Sequence, residues 1–206
     1  YTLSLHDALP IWDFPPETIL SHTFFQRKPA EFYRFYQAKM LCDTAKPNAA
    51  HKKLAKLEAQ GKLKAIVTQN IDNLHQMAGS KKVLELHGSV YRNHCVKCHS
   101  FYDFAYMKEN KGIPRCSKCG GIIKPDVVLY EEALDQDILK EAIHAIAHAD
   151  TLIIGGTSLS VYPAASLVDY FSGKHLVVIN RDKTPQDGMA ELVINQPIGE
   201  VFEQIK

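Results

Sequence analysis

The sequence predicts an α/β fold, a doubly wound parallel sheet with a small inserted zinc-ribbon lobe, on three observations. Residues 151–155 (TLIIG) and 175–180 (HLVVIN) are near-continuous apolar runs, as expected of parallel strands covered on both faces. A helical stretch, 163–171, separates them, which is the strand–helix–strand order of a parallel sheet. Two Cys-x-x-Cys pairs interrupt this alternation midway along the chain.

The remaining elements follow in order. Residues 17–41 carry Phe24, Phe32, Phe35 and Tyr36 at helical spacings, broken by Pro29. Residues 48–60 form a helix with Pro47 near its start, Ala49, Leu54, Ala55 and Leu57 inside, and Gly61 at its end. Residues 64–68 and 83–86 read as short strands, 88–125 as the cysteine-rich insertion, and 127–129 as resumed strand. A helix is expected over 137–148 and a terminal one over 198–205.

Composition bounds the function. The chain has 206 residues, 46% apolar and 23% charged, which suits one domain with a sizeable core. Lys plus Arg number 24 against 23 Asp plus Glu, so no global field attracts nucleic acid or an acidic membrane. The longest uncharged run, 151–168, spans 18 residues but contains five Ser or Thr, a Gly pair and Pro163, so no membrane span is expected. Residues 1–11 (YTLSLHDALPI) look like translated sequencing adapter and are set aside, with the protein read from Trp12. No basic stretch precedes an apolar one, so no secretory signal is read, and a cytoplasmic setting is expected.

Cys95-Val-Lys-Cys98 and Cys116-Ser-Lys-Cys119 are separated by 17 residues, within the spacing of a four-thiolate zinc site. Each pair at a tight turn can present two sulfurs at about 2.3 Å from one Zn²⁺. Gly120-Gly121 suits a sharply bent knuckle. Two disulfides would be the alternative in a secreted protein. Four protein ligands leave no open position, so the metal is structural. His94 and His99 are read as surface or supporting residues, and Cys42 as a reduced thiol in or near the core.

Open α/β sheets bind ligands beyond the carboxyl ends of their strands. Three polar segments stand there: Thr68-Gln-Asn-Ile-Asp72, Gly155-Gly-Thr-Ser-Leu159 and Asn180-Arg-Asp182. The second opens towards a helix, where free N–H groups and two hydroxyls suit phosphate, although small polar turn material explains it equally well. The Gly-x-Gly-x-x-Gly fingerprint is absent.

Six ordered motifs, 68–75 (TQNIDNLH), 86–89 (LHGS), the paired knuckles, 124–128 (KPDVV), 156–159 (GTSL) and 178–180 (VIN), together resemble the sirtuins, NAD-dependent protein-lysine deacylases, and specifically their bacterial members. The likeness runs from about Glu17 to the C-terminus. The family's Gly-Ala-Gly loop and Asp-Phe-Arg segment have no counterpart, and Asn73 stands where the family usually has Gly. Asn tolerates the left-handed backbone such a position needs.

The resemblance implies a Rossmann-like NAD-binding domain over 12–87 and 125–206, truncated at its start, with the zinc lobe inserted over 88–124. It implies a transferase: acyl oxygen attacks the nicotinamide ribose, nicotinamide leaves, and a ribose hydroxyl takes over the acetyl group. His87 matches the catalytic base, and a reference pKa of about 6.5 suits that task. Asn70 would place ribose and water, Asp72 the nicotinamide carboxamide, Gln69 ribose, and Ile71 would wall the pocket. Gly156, Thr157 and Ser158 would hold phosphate or adenosine ribose, and Asn180 the adenosine end. Val127 and Val128 would pair with an acetyl-lysine peptide as an added strand. Tyr36-Gln-Ala-Lys39 resembles the Tyr-x-x-Arg pair of desuccinylating members, but lysine lacks the bidentate fork that grips a carboxylate, which favours deacetylation. Tyr36 packing in the core is the alternative. Without the missing segment the chain is expected to bind NAD poorly and turn over little. A non-catalytic zinc module binding peptide or nucleic acid is the alternative function.

Overall fold

The computed structural model describes residues 14–205; the readings of residues 1–11 and of Trp12 lie outside them. The chain divides into two compact units.

One unit comprises 46–69, 74–86 and residues from Asp135 onward. Helix α4 (Ala49–Ala59; α1–α3 belong to the other unit) starts where the Asn48 side chain accepts the His51 N–H at 3.2 Å. Strands β1 (Ile66–Thr68) and β2 (Val83–Glu85) pair in parallel with Thr68 opposite Glu85, and α5 (Leu74–Met77) lies between them in sequence. Helix α7 (Gln136–Ala147; α6 also belongs to the other unit) is capped by Asp135, whose carboxylate accepts two N–H groups. Its buried face carries Ala142 and Ile146 against Leu84, Leu86 and Leu167. Strands β6 (Thr151–Gly155), β7 (His175–Ile179) and β8 (Leu192–Ile194) form a second parallel ladder in that order. Helix α8 (Ile198–Gln204) buries Val201 and Phe202 with Ala50 and Ile179. Each of the larger side chains among these, such as Ile146, Leu84 and Phe202, contributes roughly 1.5–3 kcal/mol of transfer free energy.

Among the described residues the parallel strands therefore fall into two ladders, of two and three strands. Residues 164–170 form a 3-10 helix, where the sequence suggested a regular one; the Ser166 hydroxyl donates back to the Pro163 carbonyl at 2.8 Å and competes with the α pattern.

The other unit comprises 14–45, Asn70–Asn73 and His87–Leu134. Helices α1 (Pro16–Ile19), α2 (His22–Arg27) and α3 (Pro29–Lys39) precede a three-stranded antiparallel sheet in the order β4 (Phe101–Asp103), β3 (Gly88–Cys95), β5 (Ile123–Val127). Helix α6 (Phe104–Glu109), not anticipated, is capped by Asp103 accepting the Tyr106 N–H. Phe24, Phe25, Phe32, Tyr33, Phe35 and Tyr36 join Val90, Ile123, Val127 and the knuckle residues Cys95 and Cys116 in one apolar cluster. The Tyr33 hydroxyl donates to the Ile123 carbonyl at 2.6 Å, joining α3 to β5.

Two further expectations need correcting. Strand character was placed at 127–129, but β5 ends at Val127. The Leu129 N–H turns to the Glu132 carboxylate at 2.9 Å and leaves the ladder. Cys42 is exposed, not in or near the core. Helix α3 stops at Lys39, and the following loop turns the thiol outward to 3.4 Å from the Thr44 hydroxyl. That hydroxyl and the Thr44 and Ala45 N–H groups lower the thiol below its usual pKa.

Candidate active site and metal centre

Strands β1 and β2 end level with each other, and the Leu86 N–H donates to the Thr68 carbonyl at 2.9 Å. Gln69 and Asn70 leave one strand where Leu86 and His87 leave its neighbour. Main-chain bonds then gather the segments that follow. The Val90 N–H donates to the Ile71 carbonyl, and the Val128 N–H to the His87 carbonyl, both at 3.1 Å. The loop Asn70–Asn73, His87 and Val128 thus meet at the start of β3.

Gly88 makes this approach possible. Its φ is +73°, and an added Cβ would lie 1.9 Å from the Asp126 carbonyl oxygen. Asn73 has φ 61°, the left-handed backbone anticipated for it. His87, Ile71 and Asp72 are half-buried and Asn70 is exposed. Burial, and then the carboxylates of Asp43 and Asp72, raise the Tyr91 phenol pKa.

At the other unit's second ladder, Gly155 pairs with Ile179, so Gly156–Ser158 and Asn180 leave the same edge. The Gly156 N–H donates to the Ile179 carbonyl at 3.1 Å, and the glycine has φ +63°. Thr157 Oγ1 accepts the Leu159 N–H at 3.1 Å, leaving its hydroxyl proton for an acceptor. Ser158 and Ser160 hydroxyls lie 2.7 Å apart, and Asn180 Nδ2 donates to the Asp182 carbonyl. The next helix begins only at Ala164, so Gly156–Ser158 form a polar loop and not a helix N-terminus.

The two knuckles converge. All four cysteine sulfurs lie within 4.8 Å of one another, with Cys95–Cys119 and Cys98–Cys116 each at 3.5 Å. A disulfide would need about 2.05 Å. A tetrahedron with bonds of about 2.3 Å has edges of about 3.8 Å, so the donor set fits zinc. At Gly121 an added Cβ would lie 2.8 Å from Cys95 Sγ and 3.4 Å from Cys119 Sγ, so glycine keeps the sulfur cradle open. The Tyr102 hydroxyl holds the Cys116 thiol down to about 6. Cys119 goes to about 12: the Gly121 N–H favours its thiolate, but the neighbouring thiols and burial outweigh it. His94 packs edge-on against Phe101, and His99 is exposed.

Tyr36 is fully buried, stacked at 6.0 Å from Phe32, and its hydroxyl has no hydrogen-bond partner among the described residues. Burial raises its pKa far above the usual phenol value. Sequence reasoning missed the hub at Glu132, whose carboxylate meets His22 Nδ1 at 2.8 Å, Lys124 Nζ at 3.1 Å and the Leu129 N–H. No spacing rule links residues 22, 124 and 132.

A family model described as the Sir2 family matches residues 13–163, well over half of the chain. This chain belongs to the Sir2 family. One sirtuin relative, an NAD-dependent protein deacetylase of Clostridium perfringens, is 63% identical over 93% of this chain and 79% of its own length. A solved complex of Sir2 with a p53 peptide and NAD+ is 42% identical, with a TM-score of 0.84 over 97% of this chain and 86% of that one. A structure of Sir2 bound to an acetylated peptide has a TM-score of 0.84 and 40% identity over 97% and 87%. Among the described residues of this sirtuin no helix is long and apolar enough to cross a membrane.

Proposed function

We propose that this sirtuin is an NAD-dependent protein-lysine deacetylase that acts in the cytoplasm and carries a structural zinc ion on Cys95, Cys98, Cys116 and Cys119. The observation that carries the reading is the main-chain stitching, through the Val90 and Val128 N–H groups, that gathers Asn70–Asn73 and His87 at the start of β3. NAD supplies the electrophilic ribose carbon and a leaving nicotinamide.

Each residue then has a task its chemistry suits. His87 accepts a proton from a ribose hydroxyl, for which a neutral imidazole serves near pH 7. Asn70 orients ribose and water through its amide, and Gln69 contacts ribose. The Asp72 carboxylate accepts from the nicotinamide amide, and Ile71 presents an apolar wall. In the other unit the left-handed Gly156 turn presents the hydroxyls of Thr157 and Ser158, which suit phosphate or ribose oxygens, and Asn180 suits the adenosine end. Val127 and Val128 offer backbone to an acetyl-lysine peptide. With its hydroxyl inside the aromatic core, Tyr36 shapes the acyl end by packing. Five unbridged thiols support a reducing cytoplasm.

The test is nicotinamide release from NAD with an acetyl-lysine peptide. His87→Ala should lower the rate by roughly 10²–10⁴-fold with zinc content unchanged. Equal rates in wild type and variant would remove His87 from the chemistry.

A further inference from the structure

Hydrogen bonds reach the four cysteine sulfurs mostly from within the two turns. The Lys97 N–H donates to Cys95 Sγ at 3.4 Å, and the Ser100 hydroxyl lies 3.3 Å from Cys98 Sγ. Cys116 has a donor from outside the turns. The Tyr102 phenol, on β4 and 14 residues earlier, donates to Cys116 Sγ at 3.1 Å.

That phenol is held from several sides. It accepts the Ser117 N–H at 2.9 Å and lies 3.0 Å from the Ser117 hydroxyl. Tyr102 is 9% exposed, and its carbonyl accepts from the amide of the fully buried Asn93 at 3.3 Å. Its ring packs 4.5 Å from that of Tyr106, whose own hydroxyl donates to the Arg115 carbonyl at 2.8 Å. Strand β4 and helix α6 therefore grip the second knuckle through one tyrosine each, of which only Tyr102 touches a sulfur.

We propose that Tyr102 is a positioning residue for the metal, fixing the Cys116 thiolate by a hydrogen bond and tying the zinc to β4. A hydroxyl bonded to a thiolate is charge-assisted and directional, so it sets where the sulfur sits as well as its charge. Residues that hold a ligand in this way commonly contribute 10- to 100-fold in metal affinity. A phenylalanine would fill the same space and supply no donor.

The experiment uses zinc-loaded protein and a chromogenic chelator. Tyr102→Phe should release zinc about 10-fold faster or more and shift the thiolate-to-metal charge-transfer band of the cobalt-substituted protein. Ser117→Ala, which keeps the N–H, should release zinc within about 2-fold of wild type. After chelation, Tyr102→Phe and wild type should unfold at the same temperature. Zinc release at the wild-type rate would overturn the proposal, as would an equal loss of stability with and without metal, which is the signature of packing alone. Should Tyr102→Phe fail to fold, cadmium-113-substituted wild type decides instead. A slowly exchanging Tyr102 hydroxyl proton coupled to cadmium supports the bond to Cys116, and its absence refutes it.

Discussion

Strand β3 runs from Gly88, beside the candidate base His87, to Cys95, the first cysteine of the metal centre, and its two ends are held in different ways. At the Cys95 end, four sulfurs within 4.8 Å of one another can be closed by a single ion. At the Gly88 end, two main-chain hydrogen bonds from Val90 and Val128 gather segments that are distant in sequence, and a glycine lets the strands touch. The closed end depends on a ligand, with the Tyr102 phenol and an apolar cluster around two of its cysteines. The open end depends on main-chain bonds from its surroundings.

Stripping the metal should break the comparison most severely. Binding and folding are coupled at such sites, so chelation should lower the unfolding temperature by about 10 °C or more. Hydrogen exchange should show protection lost across the knuckles while the Val90 and Val128 amides keep theirs. If those two amides lose protection equally, the ends are one cooperative structure and the contrast fails.

Gly88→Ala is the converse. A Cβ 1.9 Å from a carbonyl oxygen, at a positive φ, should cost about 3 kcal/mol. Denaturant unfolding measures this, with exchange faster at the Val90 and Val128 amides and bound zinc unchanged. A variant as stable as wild type would show that the approach of β3 and β5 is slack.

The smallest effect concerns acid. Burial opposes ionisation of Glu132, but the Leu129 N–H, His22 and Lys124 outweigh it and lower its pKa. A carboxylate with a depressed folded-state pKa contributes stability above its unfolded pKa of about 4.3, lost as pH falls through the folded value. Wild type should therefore lose stability at the acid end over that interval, and Glu132→Gln should remove that part of the slope. Parallel stability–pH curves for the two proteins would refute the hub.

Much of this was legible in the chain. The run at 151–155 is β6, the helix read over 48–60 is α4 with Asn48 as its cap, and the knuckle spacing led to four converging sulfurs. Signals of this kind are local: a period of apolar residues, a capping side chain, or two thiols at one turn. The left-handed Asn73 followed from the resemblance, which has Gly at that position, because few residue types suit that backbone.

What the sequence determined by itself was therefore the α/β alternation, the metal chemistry and the polar segments that follow the strands. Tertiary structure decided the rest. It put Cys42 at the surface and Tyr36 inside an aromatic cluster shared with the knuckles, ended β5 at Val127, and aimed the Tyr102 phenol at Cys116. Each of those outcomes depends on which distant segment covers a face or takes a hydrogen-bonding group. Periodicity and spacing report only neighbours along the chain, so they do not carry that information.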